Sequence, residues 1–167
     1  MNKITDQTMG SCALHAILNA YEYVTGKVPM DNRQIHSFYV AYDDDREGMR
    51  TSDILELMHE GALTAYPIRK YWKVYSEYWL SGRNKRKKKG AFKRICKIAN
   101  IGRYGLTLGY KIRKGKPSIK LDRKNNFVAR EGKNRGFHAM AIIGSTPDKK
   151  LIVENSWGAS FGDEGLA

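Results

Sequence analysis

The sequence predicts an α+β protein, with helices in its first half and antiparallel strands in its second. In the first half, apolar residues recur at helical spacing between residues that favour helix caps. In the second half, the pattern changes to the alternation of apolar and polar residues that is typical of a half-buried strand. Helices and strands that are segregated along the chain indicate the α+β class.

Three helices are predicted in the first half, over about 11–24, from 31 through 42, and from 51 or 52 to 61. Gly26 follows the first helix as a C-terminal stop, because glycine readily adopts the left-handed conformation that ends many helices. Asp31 and Gln34 are spaced as a capping box for the second helix. Gly61 is expected to end the third helix.

The second half is predicted to begin with a charged loop, 84–90 (NKRKKKG), followed by a helix over 91–100. That helix has an apolar face on which Cys96 is expected to be buried as a small hydrophobic residue. Four strands are then expected, over 104–114, 126–130, 137–145 and 150–155.

The net charge of +13 is concentrated in one region. Between Arg83 and Arg135 lie 20 of the 30 basic residues but only two acidic ones, Asp122 and Glu131. Such an imbalance indicates either a solvated face or an anionic partner. Aromatic residues are few in this region, so contact with nucleic acid is expected to be nonspecific attraction to phosphates rather than base stacking.

Several classes of protein are excluded by composition. No apolar run is near the roughly 18 residues that a membrane-spanning helix needs. The first residues lack the apolar segment of a secretory signal, and two cysteines do not make a disulfide framework. We therefore expect an intracellular, cytoplasmic monomer that makes no membrane contact (in the host cytoplasm, if the protein is viral).

Cys12 lies where GSC leads into the first predicted helix, a position that suits a nucleophile. A helix N-terminus lowers the pKa of a thiol, so we expect a lowered pKa at Cys12, whereas His15 should face a neighbouring segment. His138 enters an apolar strand, where an imidazole needs a specific partner. Asn155, at the end of the next strand, would fix its tautomer, and Trp157 would shield that hydrogen bond from water. Taken singly, each of these residues also fits a packing or capping role.

Three blocks of sequence, in order, resemble the papain-like cysteine peptidases, the family of papain, the cathepsins and bleomycin hydrolase. They are DQTMGSCALHA around the nucleophile, GFHAMAIIG for the histidine strand and LIVENSWGASFGDEG for the asparagine strand. Cys12 precedes His138 by 126 residues and Asn155 by 143, near the family spacing of about 130 to 150. Residues 36–63 also resemble the helical lobe of the family, whereas 70–103 match weakly.

The resemblance implies one papain-like domain over 1–167 with two lobes. The left lobe, about 1–80, would be helical and carry the nucleophile. The right lobe, about 90–167, would be basic, strand-rich and similar to an antiparallel β-barrel. Cys12 would be the nucleophile, His138 the general base and later acid, and Asn155 the residue that orients the imidazole. Gln7 would donate to the oxyanion beside the N–H of Cys12.

The resemblance also implies a substrate site at Gly48, Met49 and Trp157. Two features depart from the family pattern. The motif Cys-Gly-Ser-Cys-Trp appears as MGSCA at 9–13, and Gln7 precedes Cys12 by five residues rather than the usual six. No propeptide is expected, and the sequence ends at Ala167, before the last strand of the family. We therefore expect a minimised member of the family, as in a bacteriophage or virus.

The expected function is hydrolysis of peptide bonds through a Cys12 thioester, without a metal or organic cofactor. Because the basic region would border the cleft, acidic or nucleic-acid-associated protein substrates are expected. Two alternatives stay open. One is a catalytically decayed module that binds nucleic acid or another polyanion through 83–135, and the other is an amidase, isopeptidase or acyltransferase that uses the same triad.

Overall fold

The computed structural model of the protein describes residues 11–43, 48–69, 85–113, 119–121, 127–129, 135–158 and 166. In these ranges three helices come first, followed by a fourth helix and then the strands, so the α+β class is confirmed. The elements are α1 (Cys12–Thr25), α2 (Asn32–Tyr42), α3 (Thr51–His59), α4 (Lys85–Ile101), β1 (Leu106–Arg113), β2 (Ile119–Leu121), β3 (Phe127–Ala129), β4 (Arg135–Ser145) and β5 (Leu151–Glu154).

Helix α1 is at the centre of the described structure. Every residue from 13 to 20 is buried, which means that the helix is covered on all sides along this stretch. Residues of α2 and α3 pack against it in one hydrophobic cluster, which also contains Ala139 of β4. Since α1 also contacts β1 and β4, it joins the helices to the sheet.

The ends of the first helices follow the caps that the sequence predicts. Gly26 has a φ of 71°, and its N–H donates to the carbonyl of Glu22. At the start of α2, the N–H of Gln34 donates to the Asp31 carboxylate at 2.8 Å, and the N–H of Asp31 donates to the Gln34 side chain at 2.9 Å. This reciprocal pair is a capping box, so both predictions are confirmed.

The sheet has three antiparallel strands in the order β1–β4–β5, and β2 pairs separately with β3. In β4, the central strand, His138 lies opposite Tyr110 of β1. On the other side, Glu154 of β5 lies opposite Ala141. This register brings the residue after β5, Asn155, alongside the part of β4 that carries His138.

Gly105 allows β1 to begin close against α1. A Cβ atom at this position would lie 3.3 Å from the carbonyl oxygen of Ala20, a tight contact with backbone that cannot easily move. The absence of a side chain therefore lets the sheet approach the central helix.

Two hydrophobic clusters stabilise the described residues. The larger one surrounds α1 and includes its apolar residues together with those of α2 and α3. The smaller one lies between α4 and the sheet and consists of Ala99, Met140, Ile142 and Val153, with Ile95, Leu106, Leu108 and Leu151 at its edge. Cys96 is buried on α4, as predicted.

The structure differs from the predictions for the second half in two places. The expected loop over 84–90 is wrong from Lys85 onward, because α4 begins there and continues to Ile101. Lysine and arginine favour helices, and the packed apolar face after Gly90 extends the helix through this run. Strand β2 was not predicted, since its two apolar residues lie among charged ones and are too few to show a pattern. The segment 71–79 (YWKVYSEYW), which is rich in tyrosine and tryptophan, lies outside the described residues.

Within the described ranges, no helix combines the length and the apolar character that crossing a bilayer requires.

The capping box of α2 gives a test of the fold. Replacing Asp31 with alanine removes the acceptor for the N–H of Gln34, so we expect the free energy of unfolding to fall by about 1 kcal/mol. Urea denaturation measures this change. Asp31→Asn keeps an acceptor and should lose less, whereas equal losses for the two variants would contradict the role of the cap.

Candidate active site

The structure places Cys12 at the first turn of α1, next to β4. Its side chain is half-buried, and Ser11 before it is fully buried. The thiol interacts with the backbone N–H groups of Cys12 and Ala13 in the helix and with the N–H of Ala139 in β4. Because Ala139 directly follows His138, the sulfur lies beside the strand segment that carries the imidazole.

Burial raises the pKa of the Cys12 thiol above its ordinary value, and this outweighs the three N–H groups that lower it. The expectation of a lowered thiol pKa is therefore wrong for the free protein. The helix N-terminus acts in the predicted direction, but a thiolate at this position has also lost much of its hydration.

The imidazole of His138 is buried, with 3% of the residue exposed, and forms a short hydrogen bond to Asn155. Its Nε2 lies 2.6 Å from Oδ1 of Asn155. The same Oδ1 accepts the backbone N–H of Ser156 at 2.8 Å. Since a backbone N–H can only donate, the side-chain atom must be the amide oxygen, and Nε2 must carry the proton that it donates.

Because Nε2 carries the proton, the basic lone pair of a neutral His138 is on Nδ1. Such a nitrogen can take a proton from a nearby donor, which is what a general base requires. Asn155 is completely buried, and the fixed tautomer follows from its position just after β5. The predicted pairing of His138 with Asn155 is therefore confirmed as a contact.

Trp157 covers the imidazole. The two rings stack with centroids 4.0 Å apart and planes 19° from parallel. The indole thus lies over the ring that holds the buried hydrogen bond, as the sequence predicts for a shield against water. Its predicted contact with substrate stays a prediction.

Burial lowers the pKa of His138, and the hydrogen bond to Asn155 opposes that shift. Together with the raised pKa of Cys12, the lowered pKa of the imidazole favours the neutral thiol and neutral imidazole in the free protein. The site can therefore hold a base that is unprotonated near neutral pH, next to a thiol that still has its proton.

His15 and Tyr39 are two further buried polar residues near the site. His15 lies one turn after Cys12 on α1, and burial together with the charge of His138 lowers its pKa to about 4. Tyr39, on α2, interacts electrostatically with Cys12. The helical spacing of Tyr39 does not by itself indicate that its hydroxyl would reach the start of α1.

The remaining predicted site residues are Gln7, Gly48 and Met49. Gln7 lies outside the described residues. Gly48 is exposed with a φ of 103°, which favours glycine, and its N–H donates to the carboxylate of Asp43 at 3.1 Å. Met49 is half-buried and packs against the cluster around α1. The predicted pocket at Gly48 and Met49 stays a prediction.

In the part of the chain that the structure describes, no group of three or more His, Cys, Asp or Glu side chains is arranged to hold a metal ion.

Comparisons of the chain with models of known protein families, with curated proteins and with solved structures found no match. Interpretation of the site therefore depends on the geometry of its own residues and on the motifs they occupy.

Burial and the hydrogen bond to Asn155 shift the pKa of His138 in opposite directions, and substitutions can separate these two effects. Trp157→Ala would let water reach the ring and should raise the pKa of His138 towards its ordinary value of about 6.5. Asn155→Ala removes the hydrogen bond that favours the charged ring and should lower the pKa. Both pKa values can be measured by NMR titration of the imidazole, assigned by comparison with His138→Ala. Shifts in the same direction for both variants would contradict this account.

Proposed function

We propose that the protein is a cysteine peptidase of the papain-like type, in which Cys12 attacks a peptide carbonyl and His138 transfers the protons. The observation that carries this proposal is the buried hydrogen bond from His138 to Asn155, under Trp157, beside the strand residue whose N–H meets the Cys12 thiol. Packing alone does not explain why an imidazole with a fixed tautomer lies beside a thiol.

The reaction follows from the tautomer of His138. As the Cys12 sulfur attacks, its proton passes to Nδ1 of His138, and the carbonyl carbon gains the new C–S bond. The backbone N–H of Cys12 supports the negative oxygen, and the resemblance assigns a second donor to Gln7. The imidazolium then gives its proton to the leaving amine as the C–N bond breaks.

Hydrolysis of the thioester repeats these steps with water. His138 takes a proton from the water as its oxygen attacks the acyl carbon, and the C–S bond breaks to release the acid. The proton returns to the sulfur. Throughout, Asn155 accepts from Nε2 and keeps Nδ1 directed to the reacting groups, without adding a negative charge that would hold a proton on the ring.

The proposed architecture has two lobes that meet at α1. The first three helices would form the left lobe, and α4 with the sheet would form the right. Cys12 would then lie at the junction, where substrate could reach both the thiol and the imidazole. The burial of α1 by helices on one side and by β4 on the other supports this arrangement.

An epoxide inhibitor directed at thiol peptidases tests the proposal. We expect it to label Cys12 in the wild-type protein and His138→Ala to be labelled at least roughly a hundredfold more slowly, since general-base catalysis contributes about 10²–10⁴ in rate. Labelled peptides are identified by mass spectrometry, and cleavage of a fluorogenic peptide library is followed in parallel. Cys12→Ala should cleave none of the peptides.

Cys96→Ser provides the matched control, because Cys96 is the second cysteine and is buried on α4. This variant should keep both labelling and cleavage. Equal labelling of Cys12 in the wild-type and His138→Ala proteins would contradict the proposed pairing.

We infer a second candidate function, the binding of nucleic acid, from the outward face of α4. Ala91, Cys96 and Ala99 bury one face of this helix. The opposite face exposes the cations Lys93, Arg94 and Lys97. The helix contains eight basic residues and no acidic one, so its exposed side attracts phosphates without the base stacking that would read sequence.

The salt dependence of binding tests this second function. Replacing Lys93, Arg94 and Lys97 with glutamine should reduce the slope of log K against log salt by about 2 to 3 for a duplex, because each released counterion contributes about 0.9. Fluorescence anisotropy with a labelled duplex measures the slope. Arg33→Gln with Arg50→Gln, exposed cations on α2 and at the N-cap of α3, should change it less. No binding by the wild-type protein at low salt would exclude this function.

A further inference from the structure

Tyr39 has the largest fully buried side chain among the described residues, with 1% of the residue exposed. Its ring fills the cluster between α1 and α2 and meets Phe38 edge-on, with ring centroids 5.9 Å apart. Its hydroxyl oxygen, however, has no hydrogen-bond partner within the described ranges. A phenylalanine would fill the same space without burying a hydroxyl, so packing alone does not explain why a tyrosine is found here.

The hydroxyl of Tyr39 lies at the start of α1. It interacts electrostatically with Cys12, and the backbone N–H groups of Leu14 and Met49 are near enough to favour its ionised form, although neither meets it in hydrogen-bonding geometry. Both N–H groups are donors and can only approach the oxygen. The proton of the hydroxyl therefore needs an acceptor, and a thiolate at Cys12 would be a strong one.

We propose that the Tyr39 hydroxyl donates a hydrogen bond to the sulfur of Cys12 whenever that sulfur is negatively charged. The phenol would then be an additional donor to the nucleophile, besides the N–H groups of α1 and β4. This inference concerns the nucleophile of the proposed function and rests on it to that extent, but ionisation of the thiol can be measured without any substrate.

The directions in which the pKa values of the site are shifted agree with this role of Tyr39. Burial raises the pKa of Tyr39, and the charge of a Cys12 thiolate raises it further. The phenol therefore keeps its proton while the thiol loses one to Nδ1 of His138. Among the described residues, Asp43 after α2 also acts electrostatically on Tyr39, and His15 on α1 lies within the influence of His138. The carboxylate of Asp43 only accepts hydrogen bonds, so it does not replace a neutral O–H donor, and His15, with a pKa of about 4, adds no positive charge to the site near neutral pH.

Such a donor would offset the effect of burial on the Cys12 thiolate. Burial makes the thiolate of Cys12 unfavourable, and the three backbone N–H groups do not fully compensate. A hydroxyl that is already buried can donate without losing further hydration. It would stabilise the sulfur most when the charge is present, because hydrogen bonds to charged acceptors are stronger than those to neutral ones.

Tyr39→Phe tests the proposal, since it removes the hydroxyl and keeps the ring. The rate of alkylation of Cys12 by iodoacetamide is measured against pH in the Cys96→Ser background, with the labelled site identified by mass spectrometry. We expect alkylation about tenfold slower than in the parent at a fixed pH below the midpoint, which corresponds to a shift of the profile by about one pH unit to higher pH. Urea denaturation should show no loss of stability.

Tyr66→Phe is the matched control. Tyr66 belongs to the same cluster and is also buried, but its hydroxyl donates to the carbonyl of Val28 at 2.8 Å. This variant should lose some stability and leave the alkylation profile of Cys12 unchanged. Superimposed profiles for Tyr39→Phe and the parent would overturn the proposal, and so would an equal shift in Tyr66→Phe.

Failure of the peptidase proposal gives a different result. If Cys12 is alkylated equally fast with and without His138, but Tyr39→Phe still shifts the profile, the thiol is no peptidase nucleophile and the donor role of Tyr39 remains. If His138→Ala slows the epoxide reaction while Tyr39→Phe changes neither reaction, the peptidase proposal stands and the role of Tyr39 is excluded.

Discussion

The hydrogen bond from Nε2 of His138 to Oδ1 of Asn155 is the interaction on which the candidate site depends. Both side chains are buried, so each would be costly to leave without a partner. Their pairing is possible because β5 lies antiparallel to β4 and ends where the asparagine can meet the imidazole. The N–H of Ser156 identifies the amide oxygen, and the ring of Trp157 covers the pair. The assignment of Nδ1 as the basic nitrogen is thus a consequence of sheet register and burial.

Much of the fold is visible in local sequence, because caps and apolar periodicity act over a few residues. The stop at Gly26 and the capping box at Asp31 were predicted from short-range rules and occur in the structure. The start of α4 was misplaced because a run of charged residues has no apolar periodicity, although lysine and arginine favour helices. Strand β2 was missed because only two of its three residues are apolar, whereas β3 is as short but wholly apolar.

In the candidate site, too, the sequence predicts some contacts and misses others. His138 lies on β4, Asn155 and Trp157 follow the adjacent strand β5, and the motifs that contain these residues predicted their contact. The place of Tyr39 depends on how α2 packs against α1, which no local pattern contains. The pKa of Cys12 was predicted in the wrong direction for a related reason: the helix terminus is a local feature, whereas desolvation depends on everything that packs around the thiol.

The central claim is that the sulfur of Cys12 and Nδ1 of His138 lie within reach of one reacting atom. A short bifunctional alkylating reagent, such as 1,3-dibromoacetone, tests this most directly, because its three-carbon bridge can join only groups that are already close. After digestion, mass spectrometry should find one cross-linked pair of peptides that contain Cys12 and His138, formed in the folded protein and absent after denaturation. Folded protein in which Cys12 is alkylated but never joined to His138 would contradict the account.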